Sequence, residues 1–295
     1  MTPVLSFGKR FLIPAGVIAV AYGAYPSPGT PVPRHGRVFV VVEENTPYTA
    51  VVNTGAMPYL DTLIGRYGLA TQYYANTRPS IGNYFMLTVG KIVTNNDSYR
   101  DTVRDDNIVR QLVAAGRTWK SYAEDLAAVG YTGWNRGLYV RRHNPLSYLS
   151  DVTDDTTQKK RLVPFSQFAA DLAGDTLPDY SFLVPNLCND AHDCSLRTAD
   201  AWLRGNIKPL IESVRFQRDG LLIIVFDESG SRGDGKYGGG RIVWVVVSAK
   251  AKPGYRSTKL YQHESTLRLT AQALGLTEFP GEAATAPDMD EFFLP

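Results

Sequence analysis

The stretch RVFVVVEENTPY, Arg37–Tyr48, decides how the chain is read. Its first half is a continuous run of β-branched and aromatic residues, which suits a strand buried on both faces of a parallel sheet. The run then stops at Glu43, Glu44 and Asn45, where a core strand would need only a turn. GLLIIVFDESG, Gly220–Gly230, does the same and stops at Asp227 and Glu228. In open α/β sheets, ligands bind beyond the carboxyl ends of the strands. Laid side by side, these two strands would bring Glu44, Asn45, Asp227 and Glu228 to one sheet edge. Three carboxylates and an amide oxygen repel one another unless a cation sits among them. Hard oxygen donors favour a divalent Mg, Ca, Mn or Fe over a thiolate-type zinc site. Either pair alone also suits a helix cap or a solvated strand end. The coincidence of both pairs, at the ends of the two most apolar strands, favours the metal.

Working outward, apolar strands alternate with helical patterns. AMPYLDTLIGRYG spaces its apolar residues as a helix with a stop at Gly68. TQYYANTRPSIGNYFMLTVGK gives an aromatic strand, a Pro-Ser turn and a helix from Ser80. DNIVRQLVAAGRTWKSYAEDL reads as a helix, a break at Gly116 and a short element. In that element TWKSYAED is either a pocket wall or a surface helix with Trp119 and Tyr122 packed beneath. KRLVPFSQFAADLAG and TADAWLRGNIKPLIESV read as helices, DYSFLVPNL and GGRIVWVVVSAKAKPG as strands, and ESTLRLTAQALGL as a helix ending at Gly275. The tail after Phe279 reads as peripheral. This order predicts one α/β domain: a three-layer sandwich with a mostly parallel sheet and helices on both faces.

The composition is that of an ordinary globular chain: 295 residues, 44% hydrophobic, with 31 basic against 29 acidic residues. No basic block argues for nucleic acid. The N-terminus differs. Lys9 and Arg10 precede an apolar run, small residues and a Pro/Gly/Ser stretch, the order of a secretory signal cleaved after Gly23 or Ala24. Residues 1–24 are therefore expected to be a signal peptide and 25–295 a single domain. The apolar run is too short for a comfortable membrane span, so the expected location is periplasmic or secreted. The two cysteines, Cys188 and Cys194 in NLCNDAHDCS, suit a small-loop disulfide in an exported protein; free buried thiols are the alternative.

Ser80 follows a proline and opens a helix. It is either an N-cap or a nucleophile whose charge the helix terminus favours. Asn83, one turn on, is placed to hold a phosphoryl oxygen. His143 stands in RRHNP, His192 in the cysteine-bracketed NDAHD, and His263 just before the last helix. His35 falls in the Pro-rich leader and receives no role. There is no G-x-S-x-G elbow. GDGKYGGGR lacks the ending of a P-loop and reads as a hairpin or loop.

Taken together, VVVEENTPY, RPSIGNYFMLTVG, TWKSYAEDL, RRHNP, PNLCNDAHDC, IIVFDESGS with GGGRIVWVVVSAKAKPG, and HESTLRLTAQALGL resemble the bacterial phosphoesterase family of phospholipases C and acid phosphatases. They stand in that family's order across about residues 37–276. The resemblance implies an alkaline-phosphatase-like fold. It implies Glu44 and Asn45 as one metal-binding pair, with Asp227 and Glu228 as the second. Ser80 would be the nucleophile and Asn83 a phosphate contact. His192 and His263 would bind metal or move protons, and Asp190, Asn186 and His143 would be lesser site residues. Two departures stand out: Gly82 replaces a common proline, and the segment after Glu228 carries Asp234 without the family's histidine, which favours one metal over two.

The expected function is an exported, metal-dependent phosphomonoesterase working through a phosphoserine on small phosphate esters or phospholipid head groups. The alternatives are a phospholipase C-like diesterase, or a non-catalytic exported protein that uses its 17 tyrosines to hold a polar ligand.

Overall fold

The computed structural model describes residues 1–2 and 31–295; the signal-peptide expectation lies outside the described residues. One sheet organises the rest. Its strands are β1 Arg37–Glu43, β2 Gly68–Ala75, β3 Trp119–Ala123, β4 Leu162–Pro164, β5 Tyr180–Val184, β6 Gly220–Phe226, β7 Gly240–Arg241, β8 Trp244–Val247 and β9 Arg256–Tyr261. The spatial order is β4-β3-β5-β1-β6-β8-β2-β7, with β9 also paired to β2. From β4 to β6 all neighbours are parallel. β8 is then inserted antiparallel to both β6 and β2. The fold class is thus α/β with a mixed, mostly parallel sheet.

β1 and β6 lie side by side in unbroken register from Arg37↔Gly220 to Glu43↔Phe226. Every residue of β6 is buried, and every residue of β1 after Arg37. That burial is what their continuous β-branched sequences require. Helices cover both faces. On one side Phe39 packs against Phe168 and Phe216 from two helices. On the other, Phe182 of β5 meets Tyr84 of the helix Ser80–Met86. Local chemistry sets the helix ends: Ser195 Oγ accepts from Thr198 N–H to start Leu196–Glu212, and Gly275, at φ +82°, ends His263–Leu274 in the left-handed conformation.

Several expectations need correcting. Gly68 does not stop the preceding helix, which ends at Arg66; it opens β2. TWKSYAED is a strand, not a surface helix: β3 lies between β4 and β5 with Trp119 and Tyr122 buried. β4 precedes the helix in KRLVPFSQFAADLAG. The tail after Phe279 is not peripheral, because Met289 and Phe292 are fully buried and Phe292 packs on Trp244. His35 is buried too, with Nε2 3.1 Å from Ser248 Oγ and its ring against Phe293.

Candidate active site

The site forms where β1 and β6 end. Asn45, at φ +51°, turns the chain out of β1 in a left-handed conformation that asparagine tolerates better than most residues. This turn aims its backbone N–H at Asp227 Oδ1, 2.9 Å away. The loop leaving β6 passes so close that a Cβ on Gly230 (φ +60°) would meet the Asn45 carbonyl oxygen at 2.5 Å, so only glycine fits there. The two acidic pairs are thereby locked together from opposite strands.

Glu44 is the hub. Its Oε2 accepts from Ser80 Oγ at 3.1 Å and from Asn45 Nδ2 at 3.1 Å. Its Oε1 accepts from the Tyr84 hydroxyl at 2.6 Å and lies 3.2 Å from His143 Nε2. His143 Nδ1 is 3.1 Å from Asp190 Oδ2, and the His143 ring stacks on Tyr84 with centroids 5.1 Å apart. Ser80 therefore opens its helix with a hydroxyl aimed at a carboxylate, and it makes no cap to its own helix. The N-cap alternative is excluded.

Burial dominates the electrostatics. It raises the Glu44 carboxyl well above its ordinary range, reinforced by Asp227 and Asp190. Burial also lifts Asp227 to about 6, Asp190 to about 7 and Glu228 to about 8. Protein groups alone thus favour the protonated form of these carboxyls more than water does. Among the described residues, Asp227 Oδ2 and Glu228 Oε2 are buried without any hydrogen-bond partner. Among the described residues, no three His, Cys, Asp or Glu side chains already form a metal cage. Glu44, Asn45, Asp227 and Glu228 are the residues that would hold a small divalent cation if one binds here, since hard oxygen donors suit such an ion. The set offers two orphaned acceptors and carboxyls that a cation would ionise.

The histidines and Asn83 sort differently from expectation. Asn83 is fully buried, and its side chain is committed to the loop before Ser80: Oδ1 accepts from the N–H groups of Asn76 and Thr77, and Nδ2 donates to Thr77 O. These bonds shape the turn and use Oδ1 and one of the two Nδ2 hydrogens. His263 is also fully buried, with Nε2 2.8 Å from the Asp227 carbonyl and burial pulling it down to about 4. It braces the strand end and is shut off from any leaving group. His192 stays open at the mouth, its side chain 28% exposed. Its Nδ1 lies 2.7 Å from Asp193 Oδ1 and its Nε2 3.2 Å from Arg142 Nη2.

His192 and Asp190 are delivered by the Cys188–Cys194 loop, closed by a disulfide. Glu44 N–H donates to the Asp190 carbonyl and ties that loop to the end of β1. Asn186 supports it from behind, capping the Cys188 and Asn189 N–H groups.

Sequence reasoning passed over Tyr84, Arg78, Arg142 and Glu43. Tyr84 is signalled only by its helical spacing, one turn after Ser80. Glu43 is the last residue of β1, directly before Glu44. Both its oxygens are buried and unpaired, and burial raises it well above the carboxylate range.

The Phosphoesterase family model matches residues 38–277. A phosphatidylinositol-3-phosphatase of Mycobacterium tuberculosis is 31% identical over 96% of this chain and 92% of its own length. An acid phosphatase of Aspergillus fumigatus is 30% identical over 81% of this chain, which spans only 55% of that protein. Among solved structures, a protein in the alkaline phosphatase superfamily from Vibrio parahaemolyticus superposes with a TM-score of 0.59 at 12% identity, covering 89% of this chain and 74% of that one. A phosphonate monoester hydrolase of Agrobacterium radiobacter also gives 0.59, at 12% identity over 88% of this chain and 77% of that one. These two likenesses establish the alkaline-phosphatase-like fold.

Proposed function

The chain belongs to the Phosphoesterase family and is a hydrolase of phosphoric esters; on that premise we propose that it is an exported, metal-dependent phosphomonoesterase working through a phosphoserine. The observation that carries this is the Ser80 hydroxyl, held 3.1 Å from Glu44 Oε2 beside two carboxylate oxygens without partners. Ser80 Oγ attacks phosphorus in line as the bond to the leaving oxygen breaks. Its proton passes toward Glu44 Oε2, which it already faces. The Tyr84 hydroxyl holds Glu44 Oε1, with His143 Nε2 3.2 Å from the same oxygen, which orients the carboxylate. His192, the one site histidine open to solvent, protonates the leaving alkoxide and then draws a proton from the water that frees phosphate. Glu44, Asn45, Asp227 and Glu228 would hold the cation. When bound, it ionises these carboxyls, lowers the pKa of the hydroxyl and offsets charge on the phosphoryl oxygens.

Export is supported by the disulfide and by the leader-like N-terminus. Among the described residues no helix is long and apolar enough to cross a membrane. The near full-length match to the phosphatidylinositol-3-phosphatase makes a phosphorylated lipid head group one substrate to test.

The test is hydrolysis of a chromogenic phosphate monoester beside the matching diester, each with and without chelator. Chelator-sensitive preference for the monoester is the expected result. Preference for the diester would replace this reading with a phospholipase C-like one. No turnover of either, with divalent metals restored, would favour a binding protein.

A further inference from the structure

Four of the unpaired atoms at the site are of two kinds. Asp227 Oδ2 and Glu228 Oε2 are acceptors, which a cation would satisfy. Arg78 Nε and Arg142 Nε are donors, equally buried and equally without partners, and no cation can satisfy them. Leaving a buried donor unpaired is unfavourable, so two at one site point to a ligand that completes them.

Both arginines adjoin the reacting groups. Arg78 directly precedes the Pro79–Ser80 turn, and its Nη2 donates to Ser229 Oγ, one residue beyond Glu228. Arg142 directly precedes His143. Its Nη2 is 3.2 Å from His192 Nε2, and its side chain is only 14% exposed. Among the described residues, its one carboxylate neighbour at ion-pair range is Asp97, 3.6 Å from Nε, too far for a hydrogen bond. The two guanidinium groups therefore adjoin the site from two sides, Arg78 beside the Glu228–Ser229 segment and Arg142 beside His192. A phosphoryl group entering among four carboxyls needs more positive charge than one divalent cation provides. Guanidinium N–H groups also match phosphate oxygens in spacing and plane.

We infer that Arg78 and Arg142 form a two-armed clamp on the phosphoryl group in front of Ser80, their Nε–H groups donating to its non-bridging oxygens. This rests on the phosphoesterase reading of the site and deepens it. Two cationic arms favour a dianion, so the clamp selects monoesters over singly charged diesters.

The experiment uses Arg78→Met and Arg142→Met, with the lysine replacements beside them. Calorimetry measures inorganic phosphate binding to the metal-loaded protein, bound metal is counted, and kcat/KM is measured on the monoester and diester. Each Met variant should lose about 10²-fold in monoester kcat/KM, bind phosphate at least about tenfold more weakly, and keep its metal. The monoester-to-diester ratio should fall, which a merely structural role would not produce. Lysine should restore charge and part of the binding without the fork. If either Met variant fails to fold, its lysine counterpart is read the same way against wild type. Phosphate affinity and ester ratio unchanged in both arginine positions would overturn the clamp. Wild-type protein that binds phosphate through these arginines yet turns over no ester would keep the clamp and reject the phosphatase reading.

Discussion

Ser80 sits at the start of a helix without capping it, because its hydroxyl is spent on Glu44. Ser80→Ala should therefore leave stability nearly unchanged while lowering kcat by at least about 10³-fold; near-normal turnover would remove Ser80 from the nucleophile role. The two histidines once interchangeable in the sequence now predict opposite phenotypes. His263→Ala leaves the Asp227 carbonyl unpaired in the core and should cost about 2–4 kcal/mol in urea unfolding. His192→Ala should lower kcat with stability unchanged. The carboxyls give a pH test on chelated protein. Asp190 and Glu228, lifted by burial to about 7 and about 8, bind protons in the fold that the unfolded chain has released. Folding stability should fall as pH rises through that range, by about 1–2 kcal/mol between pH 6.5 and 8.5. His35 and His263, both drawn down to about 4, act the other way, but only below about pH 6.5. Divalent cation at pH 8 should restore the loss; a flat chelated profile would count against buried, protonated carboxyls. At this scale Glu44, Asn45, Asp227 and Glu228 were legible because polarity ends an apolar run in chain order. The commitments of Asn83 and His263 were not, since each is set by backbone groups the sequence does not bring near.

Elements were legible where burial is total. β1 and β6 announce themselves through unbroken β-branched runs. β3 does not, because WKSYA mixes Lys120 with aromatics: Lys120 reaches out to Asp171 while Trp119 and Tyr122 are buried. β9, RSTKLY, was missed because it pairs on one side only, with β2, and exposes most of its residues, so it carries an edge strand's polar composition. The cysteine-bracketed loop is the element whose integrity decides the site. Replacing Cys188 and Cys194 with Ser should cost about 2 kcal/mol. Because Asp190 and His192 ride on that loop, kcat should fall further than Asn186→Ala alone would cause. Unchanged turnover in the double serine variant would show that the Glu44–Asp190 backbone bond suffices to hold the loop.

For the molecule as a whole, the C-terminal segment closes the antiparallel side of the sheet. Phe292 packs on Trp244, Tyr255 and Tyr261, joining β8, β9 and the tail. Phe292→Ala should cost about 3–5 kcal/mol, read by thermal or urea unfolding; a change under about 1 kcal/mol would return the tail to a surface role. Its proline- and acid-rich composition concealed this, because a few anchoring aromatics carry the packing. The placement of β2 carries one more consequence. The strand that leads into Ser80 is made early in the chain, yet its partners β8 and β9 are among the last segments to emerge. A growing chain holding both the Ser80 turn and the Glu44 loop still cannot set them against each other. A polypeptide interrupted before residue 244 would lack the strand that joins β2 to β6, and with it the platform that sets Ser80 against Glu44.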